Sequence, residues 1–333
     1  MNRVVFAITT CFLVSTAQAY QFEVKGQYGE SIDEPRGYEA EQTQASFVWW
    51  LDDVSTKDGP LAEAGFLSKS SSLSFSFGRA ETEFDVSGML LPFFGPSIDS
   101  QTDRSEARFA WIHRSGWLVA AHAARSEMEQ EASLFGDMDG DEYGLTIGYY
   151  LTDATTVEAS YSLAESDGGS IRPRNPCPLL VDPCSLLQGN RTKVEVDTAA
   201  LVLKHVASLL NQDFAVSLGY ARAELDSTIR SAITTLDPFR VPRSIVVRTS
   251  QSAESNVLNV GATWYPTKHL GFELGYARQD ADGSSDTDSY RLGTNWFVTE
   301  NIYLGASVER TEVFLLTGEG DLDSATLKVG VRW

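Results

Sequence analysis

The sequence predicts an all-β protein, an antiparallel up-and-down β-barrel that crosses a membrane, and three observations carry that expectation. Stretches of roughly 9 to 15 residues alternate apolar and polar side chains, the period of a strand with two unlike faces. The connections between them take turns at being short and long. Large aromatic rings recur beside the short connections.

The alternation is plain in Tyr143, Leu145, Ile147, Tyr149 and Leu151, which interleave with Gly144, Thr146, Gly148 and Tyr150. It recurs in Val157 to Leu163, Phe214 to Tyr220, Leu270 to Tyr276, Ile302 to Val308 and Ala325 to Trp333. A soluble sandwich alternates too, so the connections decide. Short links fall at Arg114-Ser115-Gly116, Asp153-Ala154, Asn211-Gln212, Pro266-Thr267-Lys268 and Thr299-Glu300-Asn301. Long polar stretches lie between them near 131–141, 166–192, 226–250, 280–287 and 312–322. A membrane barrel has this asymmetry, with tight periplasmic turns and longer outer loops. The rings beside the short links include Trp49-Trp50, Trp111, Trp117, Tyr149-Tyr150, Trp264-Tyr265 and Trp296-Phe297. Amphipathic rings favour the membrane–water boundary, so these read as a girdle.

In hydrocarbon every backbone N–H and C=O must be paired, so spanning strands must close into a sheet without edges. About 14 strands are expected, at 20–28, 38–51, 70–84, 103–113, 117–131, 141–151, 156–166, 193–207, 213–226, 251–265, 270–280, 287–298, 302–312 and 323–333. Two weak strands near 85–100 would make the count about 16. An even count leaves both chain ends in the periplasm. One long link, 52–69, then also falls there, with Pro60 opening a helical turn at Leu61-Ala62-Glu63-Ala64.

Residues 1–19 are read as a cleaved signal peptide and 20–333 as the barrel domain. Arg3 supplies the positive start, Val4 to Val14 a short apolar run, and Ala17-Gln18-Ala19 the small residues before cleavage at Tyr20. Cys11 leaves with the leader. Cys177 and Cys184, close together in a Pro-rich stretch, are expected to form a local disulfide after export. The formal net charge of −20 argues against nucleic acid, whose phosphates need a basic face.

Three segments resemble the general porins of gammaproteobacteria. Gly59-Pro60-Leu61-Ala62-Glu63-Ala64-Gly65-Phe66-Leu67 is similar to that family's link after the second strand, and Ser70 to Phe77 to its third strand. Leu327 to Trp333 is similar to the terminal strand by which barrels reach the assembly machinery. On that resemblance Val329, Val331 and Trp333 form the assembly signal, although most such barrels end in Phe. The resemblance implies a Gram-negative outer-membrane channel for passive diffusion of ions and small hydrophilic solutes. It implies no cofactor and no substrate-binding residue, and its members are often homotrimers. The apolar stretch Met89-Leu90-Leu91-Pro92-Phe93-Phe94 is the candidate subunit contact, latch or inward fold. Outer-membrane lipid and lipopolysaccharide are the expected surroundings. The other reading is a non-conducting barrel serving as adhesin, receptor or structural element.

If the apolar set faces lipid, the alternate set faces water. That assigns Glu23, Lys25, Glu106, Arg108, Glu158, Glu195, Asp197, Glu273, Arg291, Glu309, Lys328 and Arg332 to the pore. Charges of both signs pointing inward suit a wet lumen, not a dry core. Arg230, Arg240, Arg243 and Arg248 in one long loop, and Arg172, Arg174, Arg191 and Lys193 around the cysteines, stand out against the acidic background. At least one loop is expected to enter the mouth and set a constriction, with Arg240 and Arg243 as its charges, the other outcome being arginines that meet lipid phosphate. Asp137, Asp139, Asp141 and Glu142 form an acidic cluster without the glycine a calcium loop needs, so no metal is expected. No G-x-S-x-G is present, and no enzyme is expected; His122 with Ser126 is the one pair to inspect.

Overall fold

In the computed structural model the described residues are 19–33, 37–57, 59–85, 97–130, 137–173, 184–236, 242–282, 286–315 and 318–333. Fourteen strands run through them: β1 (Ala19–Asp33), β2 (Tyr38–Ser55), β3 (Ser72–Asp85), β4 (Ser97–Ile112), β5 (Trp117–Gln130), β6 (Met138–Thr152) and β7 (Thr155–Pro173). The second half holds β8 (Cys184–Leu209), β9 (Gln212–Leu236), β10 (Pro242–Thr267), β11 (Leu270–Ala281), β12 (Asp286–Phe297), β13 (Ile302–Leu315) and β14 (Gly318–Arg332). Every strand pairs antiparallel with its neighbours in sequence, and β14 returns to β1, so the barrel is closed. Glu23 faces Arg332 and Ile32 faces Asp323 across that seam. The last residue belongs to it: the Gln21 and Phe22 amides donate to the Trp333 carbonyl at 3.0 and 2.9 Å.

The distribution of apolar side chains is inside out relative to a soluble protein. Leu145, Leu274, Leu292 and Leu327 are 60–63% exposed, and all sit on the outer face. From Tyr143 to Leu151 the outward residues of β6 are apolar; at about 3.3 Å per residue and a tilt of about 40° they cover about 20 Å, near the height of a barrel's hydrocarbon band. Six of the seven tryptophans, Trp49, Trp111, Trp117, Trp264, Trp296 and Trp333, are 41–51% exposed on this outer face. The fully buried apolar residues are few and gather inside the barrel near the short turns.

The stretches expected as long loops at 166–192 and 226–250 differ from expectation. Their described residues continue as strand, making β8, β9 and β10 25 or 26 residues long. Ser170 pairs with Asn190, and Arg248 with Arg230, so the ladder rises well past the membrane band. Hydrogen bonding explains this: once β9 is in register, the amides of its neighbours are satisfied by extending the ladder rather than by folding inward. Residues 86–96 and 131–136, with Met89–Phe94, lie outside the described residues, as do residues 1–18, Arg174, Cys177 and Arg240. Only the backbone of Arg172, Cys184 and Arg243 is described.

The β8–β9 turn is two residues, Leu210 and Asn211, with φ of 53° and 62°. Two successive positive φ values make the twist that a tight hairpin requires, a conformation that suits Asn and strains Leu. Leu210 is also 89% exposed. Leu210→Asn is therefore expected to stabilise the barrel by about 0.5–1 kcal/mol, read as a raised denaturant midpoint in lipid vesicles.

Candidate functional site: a segment across the short-turn mouth

The chain between β2 and β3, expected on the short-turn side with a helical turn after Pro60, enters the barrel mouth. Pro60, extended at φ −67° and ψ 139°, leads into a 3-10 turn, Leu61–Glu63, and one turn of helix, α1 (Ala64–Leu67). Pro at this point loses no helical hydrogen bond, since the first amides of a helix have no internal partner. Gly59 ahead of it has φ 77°, and a Cβ there would lie 2.6 Å from Leu67 Cδ1. Lys69, just past the helix, is the other described residue of this link with positive φ, at 50°.

Side chains from all round the barrel converge on this segment. Leu61 is fully buried against Phe297 of β12 and Tyr303 of β13. Ala64 packs on Tyr20, Val54 and Trp50 from β1 and β2. Gly65 lies flat on Trp50, where a Cβ would come within 2.5 Å of the indole. Phe66 meets Tyr150 of β6 at 5.5 Å between centroids, and the Tyr150 hydroxyl donates to the Phe66 carbonyl at 3.1 Å. Lys204 of β8 holds its ammonium 4.6 Å from the Phe66 ring centre and 2.5 Å from Glu63. Glu63 also accepts from the Tyr265 hydroxyl of β10 at 3.0 Å. In a ring of fourteen strands β1 and β8 are seven steps apart, diametrically opposite. A segment that touches both must bridge the mouth.

Arg332 fastens one side. It is 2% exposed. Its Nη1 donates to the Leu61 carbonyl and the Tyr20 hydroxyl, both at 3.0 Å, and its Nε to the Glu300 carbonyl at 2.8 Å. The guanidinium also lies 4.3 Å from the Phe297 ring centre. A planar guanidinium presents five donors in a rigid fork spread over three nitrogens, so it reaches acceptors that the three donors of an ammonium, all on one atom, cannot reach from a single pose. Arg332 was expected to line open water; it is instead the buried anchor of the bridging segment.

An ion pair in the turns clamps the same end. Lys268 Nζ is 2.8 Å from Glu300, which accepts from Thr56 Oγ1 at 3.3 Å. The Lys268 hydrogen bond holds the Glu300 carboxyl below the usual carboxylate range. A carboxyl lowered by folding contributes stability above its unfolded pKa, and that contribution disappears as pH falls through the folded value. Glu300→Gln is therefore expected to melt below wild type at pH 7 and to match it once the pH falls below the lowered Glu300 pKa.

Beyond the segment the lumen is lined by charge. Register places Glu106, Arg108, Glu158, Glu273, Arg291, Glu309, Lys328, Glu23 and Lys25 on the inward face. Glu195 and Asp197 are corrected: Asp197 is paired with Leu163 and shares the outward face of β8 with Leu201 and Leu203. The sequence alone did not show which of the two alternating sets of β8 is apolar there, because its apolar Val194 and Val196 point inward. Within the lumen Arg104 bonds Glu142 at 2.8 Å, His122 bonds Glu142 at 3.3 Å and Arg291 contacts Glu309 at 2.6 Å. Arg108 and Lys328 have no carboxylate within 4.0 Å among the described residues. A cavity of about 480 Å³ lies between the segment and the wall, edged by Lys25, Gln27, Gln44, Glu273, Asn295 and Lys328.

His122 turns to Glu142 and, among the described residues, to no serine hydroxyl. The acidic cluster is split by alternation, Asp139 and Asp141 outward and Glu142 inward. Among the described residues no group of three or more His, Cys, Asp or Glu is placed to hold a metal. Val329 and Trp333 are half-exposed on the outer face of β14, Trp333 stacked on Phe22 at 6.0 Å, and Val331 shares their parity.

No family model matches the chain, and no curated protein is detectably similar in sequence. Solved structures are similar in fold. Omp33 of Acinetobacter baumannii is 16% identical, with 95% of this chain and 99% of that one aligned at a TM-score of 0.52. The toluene transporter TodX of P. putida is 14% identical over 95% and 91% of the two chains, at a TM-score of 0.54. A deltaS2S3 mutant of TodX, described as a monoaromatic hydrocarbon channel, is 12% identical over 95% and 90%, at 0.58. The chain has the closed 14-strand fold of these outer-membrane barrels.

Proposed function

We propose that this protein is an outer-membrane channel for passive diffusion of ions and small hydrophilic solutes, with its narrowest point at the segment Leu61–Leu67. The observation that carries the reading is the inward face itself. Arg104, Glu106, Arg108, Glu158, Glu273 and Lys328 project into the barrel from several strands, and such charges are tolerated only where water reaches them. A barrel of about 14 strands is wide enough to hold that water. The neighbours in fold are outer-membrane proteins, among them channels, which agrees with the same location for this chain.

The constriction is built from the periplasmic side. Its segment carries positive φ at both flanks, Gly59 and Lys69, and leaves Trp50 Nε1 and Arg332 Nη2 buried without a partner among the described residues. An unmet buried donor costs about 1–3 kcal/mol, so the bridged arrangement lies below the stability its contacts alone would give. Planar-bilayer recording tests the channel: stepwise currents from purified protein are expected, and a silent bilayer with correctly folded protein overturns the reading.

The charge of −20 does not sit in the lumen. Among the described residues most acids lie on the outer face above the apolar band, Glu39, Glu41, Glu81 and Glu83 among them, whereas inward acids and bases interleave. A potassium-to-chloride permeability ratio within about threefold of unity is expected, and Arg108→Glu with Lys328→Glu is expected to move it toward the cation. A second reading has one observation in its favour. Val196, Ala200, Val202, Ala221, Ala223 and Val257 form an apolar strip on the inward face of β8–β10, a surface that suits apolar solutes. Liposome uptake of toluene against a small sugar separates the two.

A further inference from the structure

The outer face of the β8–β10 extension carries a row of cations unlike anything else on the exterior among the described residues. Arg191 is paired directly with Arg230, and Arg230 with Arg248. No register shift interrupts these strands between the row and the outward-facing Leu201, Tyr220 and Leu258, so the three guanidinium groups stand on the same outer surface. Directly opposed side chains in a sheet have Cβ atoms about 5 Å apart, and like charges so placed repel. Arg191 is relieved by Asp167, which accepts from Nε at 3.0 Å and Nη2 at 2.5 Å. Arg230 and Arg248 have no carboxylate partner among the described residues. Elsewhere on the exterior Arg79 holds Asp103, Arg222 holds Glu254 and Arg310 holds Asp321. The row flanks a shallow cavity of about 360 Å³.

Two exposed guanidinium groups left open beside a third, on an otherwise acidic surface, form a fork for a planar or tetrahedral oxyanion. Height narrows the choice of partner. Arg230 follows Tyr220, the last of the outward apolar series on β9, by ten residues, which at about 3.3 Å each and a tilt of about 40° is about 25 Å above the hydrocarbon edge. Lipid phosphate groups lie at that edge. The layer reached by Arg230 is the sugar layer.

We propose that Arg230 and Arg248, with Arg191 beside them, bind phosphate carried on the core sugars of lipopolysaccharide in the surrounding leaflet. The site rests on the outer-membrane location proposed above but not on conduction. The test immobilises the folded protein in detergent and measures binding of lipopolysaccharide with a phosphorylated core and of lipopolysaccharide truncated to its lipid anchor. Arg230→Ala with Arg248→Ala is expected to weaken binding of the phosphorylated-core form at least about tenfold, with wild-type binding falling as salt rises, and to leave the truncated form unchanged. Equal binding of the phosphorylated-core form by wild type and variant overturns the proposal. So does an equal loss for the truncated form, since the arginines would then be reading lipid phosphate. Both substitutions are on exposed side chains, and an unchanged shift on gels between unheated and heated samples shows that the barrel is intact. Currents from the same samples report on the channel separately.

Discussion

Replacing Ala62–Leu67 by a Gly–Ser stretch of equal length is expected to raise single-channel conductance several-fold, roughly 3- to 10-fold, the largest effect that any change in this protein should have on passage. Among the described residues the segment is the one element that reaches from β1 to β8 across the lumen, and the replacement frees the space now taken by the Glu63 and Phe66 side chains. The strands do not depend on it for pairing, since every one of them is hydrogen-bonded to both neighbours. A barrel that keeps its compact gel mobility and conducts no better would show that the narrowest point lies elsewhere. Smaller versions separate the grip from the bulk. Glu63→Gln breaks the Lys204 ion pair while keeping an acceptor for Tyr265, and should increase current fluctuation more than mean conductance.

Arg332→Met is expected to destabilise the folded barrel by about 3 kcal/mol, the most of any single substitution at this end. The change leaves the Leu61 and Glu300 carbonyls and the Tyr20 hydroxyl without the donor they now share. It also removes a cation stacked between Tyr20 and Phe297. Urea unfolding in lipid vesicles measures it. Arg332→Lys should recover only part of the loss, because one ammonium cannot reproduce a fork that serves three acceptors. A loss under about 0.5 kcal/mol would mean that water serves these acceptors as well as the arginine does, in line with the small net value of a solvated hydrogen bond.

Most of the barrel is legible in the amino-acid sequence. Strand count followed from alternation and the short turns, since a period of two with one lipid-facing side leaves little choice of register. Weak spots in that reading have physical causes. The β8–β10 extension reads as loop in the sequence because, past Tyr220, neither face is held against lipid, and without a lipid-facing side the polar stretch carries no strong alternation. Glu195 and Asp197 have a different cause: the alternation there is clear, but its apolar members Val194 and Val196 face inward.

The aromatic doublets show most clearly where sequence stops. Trp49-Trp50, Tyr149-Tyr150, Trp264-Tyr265 and Trp296-Phe297 were all read as girdle. Adjacent residues of a strand point to opposite faces, so one ring of each pair must face the lumen. In the structure Trp49, Tyr149, Trp264 and Trp296 lie outside, and Trp50, Tyr150, Tyr265 and Phe297 form the cage around the bridging segment. The sequence carries that signal four times over.

What the chain determined alone was therefore the closed sheet, its lipid-facing side and the helical turn after β2, because each depends on residues adjacent in sequence. Whether that turn hangs free or bridges the mouth was decided by contacts from Tyr20 to Arg332, separated by 312 positions. Only closure of the barrel brings such residues within 3.0 Å, and no local pattern records it.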